Sequence, residues 1–589
     1  MITDNKYILS AAIFSAAAFA TPAAVAQSAT SVINIDRTIV PEQRAATRMG
    51  SFNPTIFVPE TEKRTLSVTE YTGTAPLTPM LTRLSPARYD DTVALYKYRG
   101  YALAGYFPLA ETAVAAGYRF LDNSTSTVGA WLNYDGSAYK THDFKFNDQN
   151  VALDLYGTHS FKWGTFSAAL NYTYRHAGVK SDEFTAGKLA DPAGLNTFDV
   201  TLGFTSERGR KIIWDAAVKY DMNRYSSAVY GRGLNYEVVD WMNQGKGALS
   251  DLFNFSGSVA FGAQNNRPRG GIDAEISYFR SRGLNIPDIP HLTLPGGWNI
   301  YPVVDHHLTE YALTPFVNFS SGSFTAHVGI RFMLHEGWDE SFHVAPDINL
   351  AWKPSGTFAI FADFDGGTVM NTLASATDYT PYIPSSMAYT PSDLDITGRV
   401  GFRVGPFKGA ALEAYGAYAH VSQWLMPSVY EHFQSHGTAY LSELPQGVLC
   451  NRDLHGFMFG ARLTYSYRHN QRAYLSYEHA PVSVDKGWYQ WRDHASTVLH
   501  AGVEYSPLKP LMLSLDYEMR RGRRAYLIGG TSFEELGHVD NLNLRGTYAV
   551  NSQLSVFVNA ENLLCKRYLY LPGIYSRGLH GLLGVTYKF

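Results

Sequence analysis

Residues Gly578 to Phe589, reading GLHGLLGVTYKF, constrain the chain more than any other stretch. Leu579, Gly581, Leu583, Val585, Tyr587 and Phe589 fall on one face. His580, Leu582, Gly584, Thr586 and Lys588 fall on the other, so the period is two and the segment reads as a β-strand. The first face is almost wholly apolar and ends in aromatics. A strand needs such a face when one side meets lipid and its tip sits at the interface. Soluble sheet strands alternate as well, so the reading depends on the rest of the chain.

A length of 589 residues exceeds one ordinary globular core and by itself implies several domains. Composition argues otherwise. Aromatics are 14% of the chain, with 40 Tyr and 33 Phe, against only 17% charged residues, and Gly is abundant at 51. No apolar run beyond the N-terminal segment is long enough for a spanning helix. Tyr-rich, Gly-rich and poor in charge suits a large β-barrel with aromatic girdles and tight turns. A net charge of −3 with no basic block points away from nucleic acid. The two cysteines, Cys450 and Cys565, form no disulfide framework, although an exported protein could join them.

The N-terminus sets the expected compartment. Lys6 precedes the apolar run Tyr7 to Ala20, and Ala24-Val25-Ala26 gives an A-x-A cleavage pattern, so residues 1–26 read as a signal peptide. Export combined with a β-rich chain implies the outer membrane of a two-membrane bacterium. Residues 27–95 change character: prolines at 41, 54, 59, 76, 79 and 86 forbid long ladders. We expect an extended periplasmic segment there, too short for a large globular plug, and a barrel over residues 96–589.

Connections alternate in length from Tyr96 onward. Short turns are expected near residues 122–124, 162–164, 207–209, 265–268, 320–322, 353–356, 405–407, 468–470, 507–510 and 550–553. Longer polar stretches lie between them, at 178–194, 227–252, 281–307, 369–392, 426–452, 481–492 and 522–536. Short turns at one end and long loops at the other mark an outer-membrane barrel, and the count of hairpins predicts about 22 antiparallel strands. A β-propeller would need a blade-length repeat, and none is found. The fold class is therefore all-β, a transmembrane antiparallel barrel.

The end of the chain carries a family likeness. LSVFVNAENLLCKRYLY (554–570), a loop through Pro572-Gly573-Ile574-Tyr575, and the terminal GLLGVTYKF resemble the end of TonB-dependent outer-membrane receptors. The positions that match are Asn562, Leu563, Tyr568, Gly584, Tyr587 and Phe589. The opening strand YKYRGYALAGYFPL and the following AVAAGYRFLDN resemble plug-poor, Bacteroidetes-type barrels of that kind. The resemblance implies a barrel that admits or takes up a solute across the outer membrane. It also implies an insertion signal at Leu583, Val585, Tyr587 and Phe589. The implied partners are outer-membrane lipid and the barrel-assembly machinery, while residues 27–95 either occlude part of the lumen or dock a periplasmic partner. The other class of reading is a scaffold barrel in an outer-membrane assembly or secretion complex. No TonB-box or full plug is recognised, which separates the chain from the full receptors.

Candidate ligand contacts come from the expected external loops. Trp488, Tyr489 and Trp491 are the densest cluster, with Trp338 and Trp298 beside carboxylates and amides; such faces stack on flat ligands, or serve as an interfacial girdle. Glu431-His432 with His436, and Asp305-His306-His307, are loop histidine groupings without a protease pattern. Solvated loop histidines are the plainer account, so no metal site and no cofactor is assigned. Eleven charged residues lie within barrel-like segments: Arg175, Lys219, Asp221, Arg331, Asp363, Arg399, Arg403, Glu413, Arg462, Glu504 and Arg545. A charge on the lipid face costs about 2–4 kcal/mol at the midplane, so these should point into a wet lumen. No nucleophile motif is present, and an enzymatic role is not expected.

Overall fold

The structure is a computed structural model. It describes residues 98–107, 111–141, 144–181, 194–206, 212–226, 247–262, 269–284, 292–294, 298–300, 303–337, 341–379, 381–383, 388–430, 448–467, 471–480, 482–484, 495–528, 533–571 and 574–589. The signal-peptide segment and residues 27–95 lie outside the described residues.

The barrel opens with β1 (Gly100–Phe107), β2 (Glu111–Asp122), β3 (Ser126–Thr141), β4 (Phe144–Phe161), β5 (Gly164–Ser181), β6 (Leu195–Ser206) and β7 (Ile212–Tyr225). It continues with β8 (Leu249–Phe261), β9 (Arg269–Leu284), β10 (Val303–Ser321), β11 (Phe324–Gly337), β12 (Phe342–Ser355) and β13 (Phe358–Val369). A short helix, α1 (Leu373–Tyr379), precedes β14 (Ser392–Phe407), β15 (Ala410–Tyr430), β16 (Val448–Tyr467) and β17 (Gln471–His479). The last five are β18 (Thr497–Leu508), β19 (Leu511–Arg521), β20 (Val539–Ala549), β21 (Leu554–Glu561) and β22 (His580–Lys588). One sheet joins 25 strands; three are short rim segments, Val482–Val484, Arg524–Ile528 and Phe533–Glu535, and the other 22 form the barrel.

Neighbouring barrel strands pair antiparallel. The last pairs with the first, setting Tyr101 opposite Lys588 and Tyr106 opposite Leu583. The Gly100 N–H donates to the Phe589 carbonyl at 2.8 Å, and the Phe589 N–H returns the bond at 2.9 Å. Closure matters physically: hydrocarbon offers no partner for an open edge, so every backbone group must be satisfied within the sheet.

All ten expected short turns connect strands at the end that carries Phe589, the periplasmic end by the usual rule for such barrels. At the opposite end most connections are long. The connections through 108–110, 142–143 and 338–341 are the short exceptions. Strands run from 8 residues in β1 to 21 in β15. About 9–11 residues cross a bilayer, so the longest strands extend well beyond it.

The period of two sorts the side chains. Leu579, Leu583, Val585, Tyr587 and Phe589 are exposed on the outside, as are Val328, Ile330 and Leu334 on β11 and Phe457, Phe459 and Leu463 on β16. In water such a band would be a liability, whereas lipid covers it. Near the short-turn end Trp163 stacks on Phe204 at 4.6 Å and Phe204 on Trp214 at 4.8 Å, forming a stretch of interfacial girdle. All eleven strand charges have the opposite parity to the outward apolar residues of their strands and therefore face the lumen.

Candidate functional site

The described residues of the stretch 369–392, which the sequence suggests is a polar external loop, instead reach across the lumen at its loop end. Its local structure begins at Thr372, whose Oγ1 accepts a bond from the Ser375 N–H at 3.2 Å, an N-cap for α1. Leu373, Ala376 and Thr377, at i, i+3 and i+4, form the buried face of that helix. Leu373, Ala376, Ile383 and Tyr389 cluster with Leu195, Tyr225, Ala248, Leu425 and Leu449, which come from the wall. This small apolar core inside a polar lumen is what draws the segment inward, since leaving those side chains in water would forfeit their burial.

Polar groups then fix the crossing. Near its origin, Asn371 Nδ2 donates to the Thr390 carbonyl at 2.6 Å and to Ser392 Oγ at 2.8 Å. On β8, Ser250 Oγ accepts the Leu373 N–H at 2.9 Å. Arg175 of β5 donates to Thr377 Oγ1 at 2.6 Å and lies 3.8 Å from Asp378. Farther across, the Tyr382 hydroxyl donates to Asp148 of β4 at 2.5 Å, and its ring packs edge-on against Phe146. β4 stands nearly opposite β13 and β14 in a ring of 22, so the segment is a strap across the mouth rather than a flap on one wall.

Arg577, in the connection before β22, ties the strap to the barrel seam. Its guanidinium donates to Glu111 of β2 at 2.9 Å and to Ser137 of β3 at 2.7 Å. It also lies 3.6 Å from Asp148 and stacks 4.1 Å from the Tyr139 ring centre. Burial pushes the Tyr382 phenol well above its ordinary range, so it stays a donor at physiological pH. Burial works against the Arg577 charge, but the carboxylates of Asp148 and Glu111 beside it hold it protonated. The cavity bounded by Tyr139, Asp148, Tyr382 and Arg577 is about 30 Å³, room for a water or two. This corner is a joint, not a ligand pocket.

Below the strap the wall is polar and largely paired. Lys219 meets Asp199 at 3.0 Å, Arg403 meets Glu413 at 2.5 Å and Arg399 meets Asp363 at 3.4 Å. Arg399 also stacks over Phe361 and Tyr415. Arg331 donates to the Gly366 carbonyl at 2.8 Å, and Arg472 lies 3.9 Å from Glu504. Mutual pairing of lumen charges lowers the cost of keeping them, while leaving a wall that water and polar solutes can wet.

The sequence-predicted sites divide accordingly. Trp338, Trp488, Tyr489, Trp491, Glu431, His432 and His436 lie outside the described residues. Asp305 forms a two-point ion pair with Arg280, at 3.0 and 2.7 Å, which takes the carboxylate that a metal at Asp305-His306-His307 would need. Cys565 is an exposed free cysteine. Sequence reasoning missed Tyr382, Asp148 and Arg577, which are far apart in the chain. The only local signal was the apolar spacing Leu373, Ala376, Ile383 and Tyr389 inside a supposed loop.

No family model matches the chain, and no curated protein sequence matches it either. Solved structures do. The ferric enterobactin receptor PfeA of Pseudomonas aeruginosa superposes with a TM-score of 0.58 at 11% identity, covering 83% of this chain and 80% of that one. The siderophore receptor PirA of Acinetobacter baumannii gives 0.58 at 10% identity, with 84% and 80% covered. The iron transporter FrpB of Neisseria meningitidis gives 0.57 at 12%, with 84% and 82% covered. At such identities the likeness is one of fold. The barrel fold shared with these proteins extends over most of the chain.

Proposed function

We propose that this barrel admits a polar solute across the outer membrane, with the strap 370–391 as the restriction that the solute must pass. The observation that carries the reading is a lumen lined with paired charges and crossed by a segment anchored on both sides, through Asn371 and through Tyr382 on Asp148. A scaffold barrel has no need of a lumen that is both wet and guarded. The similar folds include a siderophore receptor and an iron transporter, which supports uptake as the class of work. Selection at the outer loops by Trp338, Trp488, Tyr489 and Trp491, and docking of a periplasmic partner on 27–95, belong to the same proposal. No catalysis is part of it.

Planar-bilayer conductance of the purified protein tests this. The intact chain is expected to conduct in small or intermittent steps. Tyr382→Ala combined with Arg175→Ala frees the far end of the strap and should raise the conductance severalfold. Equal conductance in both proteins would remove the strap as the restriction. Silence in both, and also in a protein lacking 27–95, with folding verified by gel mobility, would sink the passage reading and favour a scaffold.

A further inference from the structure

A second polar cluster lies on the lumen wall at β10–β14, away from the joint at Arg577. His335 of β11, His343 of β12 and Asp393 of β14 each present a ligand atom, all within 4.8 Å of one another. Three different strands supply them, and adjacent pairing is what brings them together. Next to them is a cavity of about 50 Å³, lined by Met333, His343, Gly367, Asp393 and Asp395 among others. A register irregularity between Asp365 and Gly367 re-aims β13 here, placing Thr368 opposite Asp393.

The protons in this cluster can be assigned from its acceptors. Glu310 Oε2 lies 2.9 Å from His335 Nε2, and a carboxylate only accepts, so Nε2 carries the hydrogen. Thr368 Oγ1, 3.0 Å from the same nitrogen, then spends its own proton on Asp393 Oδ1 at 3.2 Å. Nδ1 of His335 lies 3.4 Å from Ser341 Oγ. The same hydroxyl sits 2.7 Å from His343 Nε2. Ser341 Oγ thus sits between two ring nitrogens, donating to one and accepting from the other as the His343 tautomer allows. Among the described residues, neither Glu310 nor Asp393 has a Lys or Arg within ion-pair distance. Two carboxylates and two converging imidazoles, with no Lys or Arg paired to the carboxylates, are the kind of donor set that a divalent cation takes.

We propose that His335, His343 and Asp393 bind a divalent transition metal of the zinc class on the lumen wall. Imidazole nitrogen and carboxylate oxygen are the donors such ions take, and the fourth position opens to the cavity. Glu310 on the His335 Nε2–H and Thr368 on Asp393 are the outer partners that orient ligands in metal sites. The proposal does not depend on transport, because the site is built whether or not a solute passes it.

The test uses the purified full chain, stripped with a chelator and exchanged into metal-free buffer. Titration with Zn²⁺ followed calorimetrically should show one saturable equivalent, and Co²⁺ should give visible d–d bands. His343→Gln and Asp393→Asn, both at partly exposed positions, should each weaken Zn²⁺ binding at least tenfold while gel mobility reports a folded barrel. Thr368→Val, which removes only an orienting bond, should weaken it by about 10–100-fold. Absence of saturable binding in the unaltered protein would overturn the proposal. So would binding unchanged in His343→Gln and Asp393→Asn but lost on substituting His306 and His307, which would place the ion at the rim.

Discussion

Arg577 shows how much one side chain can hold. It reaches Glu111, Ser137, Asp148 and the Tyr139 ring, so the connection into β22 and strands β2 to β4 across the seam share one largely buried cation. Removing one partner of a buried pair strands the other, at about 3–5 kcal/mol. Arg577→Ala should therefore lower the temperature at which the folded barrel band disappears on gels. Arg577→Lys should recover only part of the loss, since an ammonium lacks the fork that serves Glu111 and Ser137 together. Asn562, one of the positions matching the receptor-type hairpin, has a physical role too. It sits at a φ of 53°, and its amide donates to the Lys566 and Arg577 carbonyls at 2.8 and 2.6 Å. Asn562→Gly keeps the backbone conformation and loses the bonds. A cost of about 1–3 kcal/mol, read from urea unfolding in lipid vesicles, is expected for those buried acceptors.

At the scale of an element, β22 makes the sidedness of the sheet testable. Val585 is on the outer face and Thr586 on the inner one. Val585→Arg should cost about 2–4 kcal/mol in a lipid-vesicle folding titration, and Thr586→Arg far less, because the lumen hydrates the charge. Equal costs would mean that the strand's faces are reversed. The strap obeys a different rule. Its helix has seven residues, too few to stand alone in water, so it persists only because the wall offers Ser250, Arg175 and the apolar cluster.

At the scale of the molecule, closure is all-or-none. Gly584 lies at the seam opposite Gly105, and a Cβ there would stand 2.5 Å from the Ala104 carbonyl oxygen and 2.4 Å from the Phe557 ring. Gly584→Val should therefore produce unassembled or aggregated protein rather than a slightly weaker barrel, since an opened seam bares two strand edges. A normal heat-modifiable band for that variant would refute the argument.

The sequence alone determined what repeats. A period of two, one apolar face per strand, tight turns alternating with long loops and charges of inward parity are local properties. Lipid outside and water inside impose them on every hairpin alike, which is why 22 strands and the lumen charges were legible. Only the tertiary structure decided what depends on the diameter of the ring. Folding 370–391 inward and joining Tyr382 to Asp148 across 234 positions follow from which walls face each other once the sheet closes. No spacing in the chain encodes that distance.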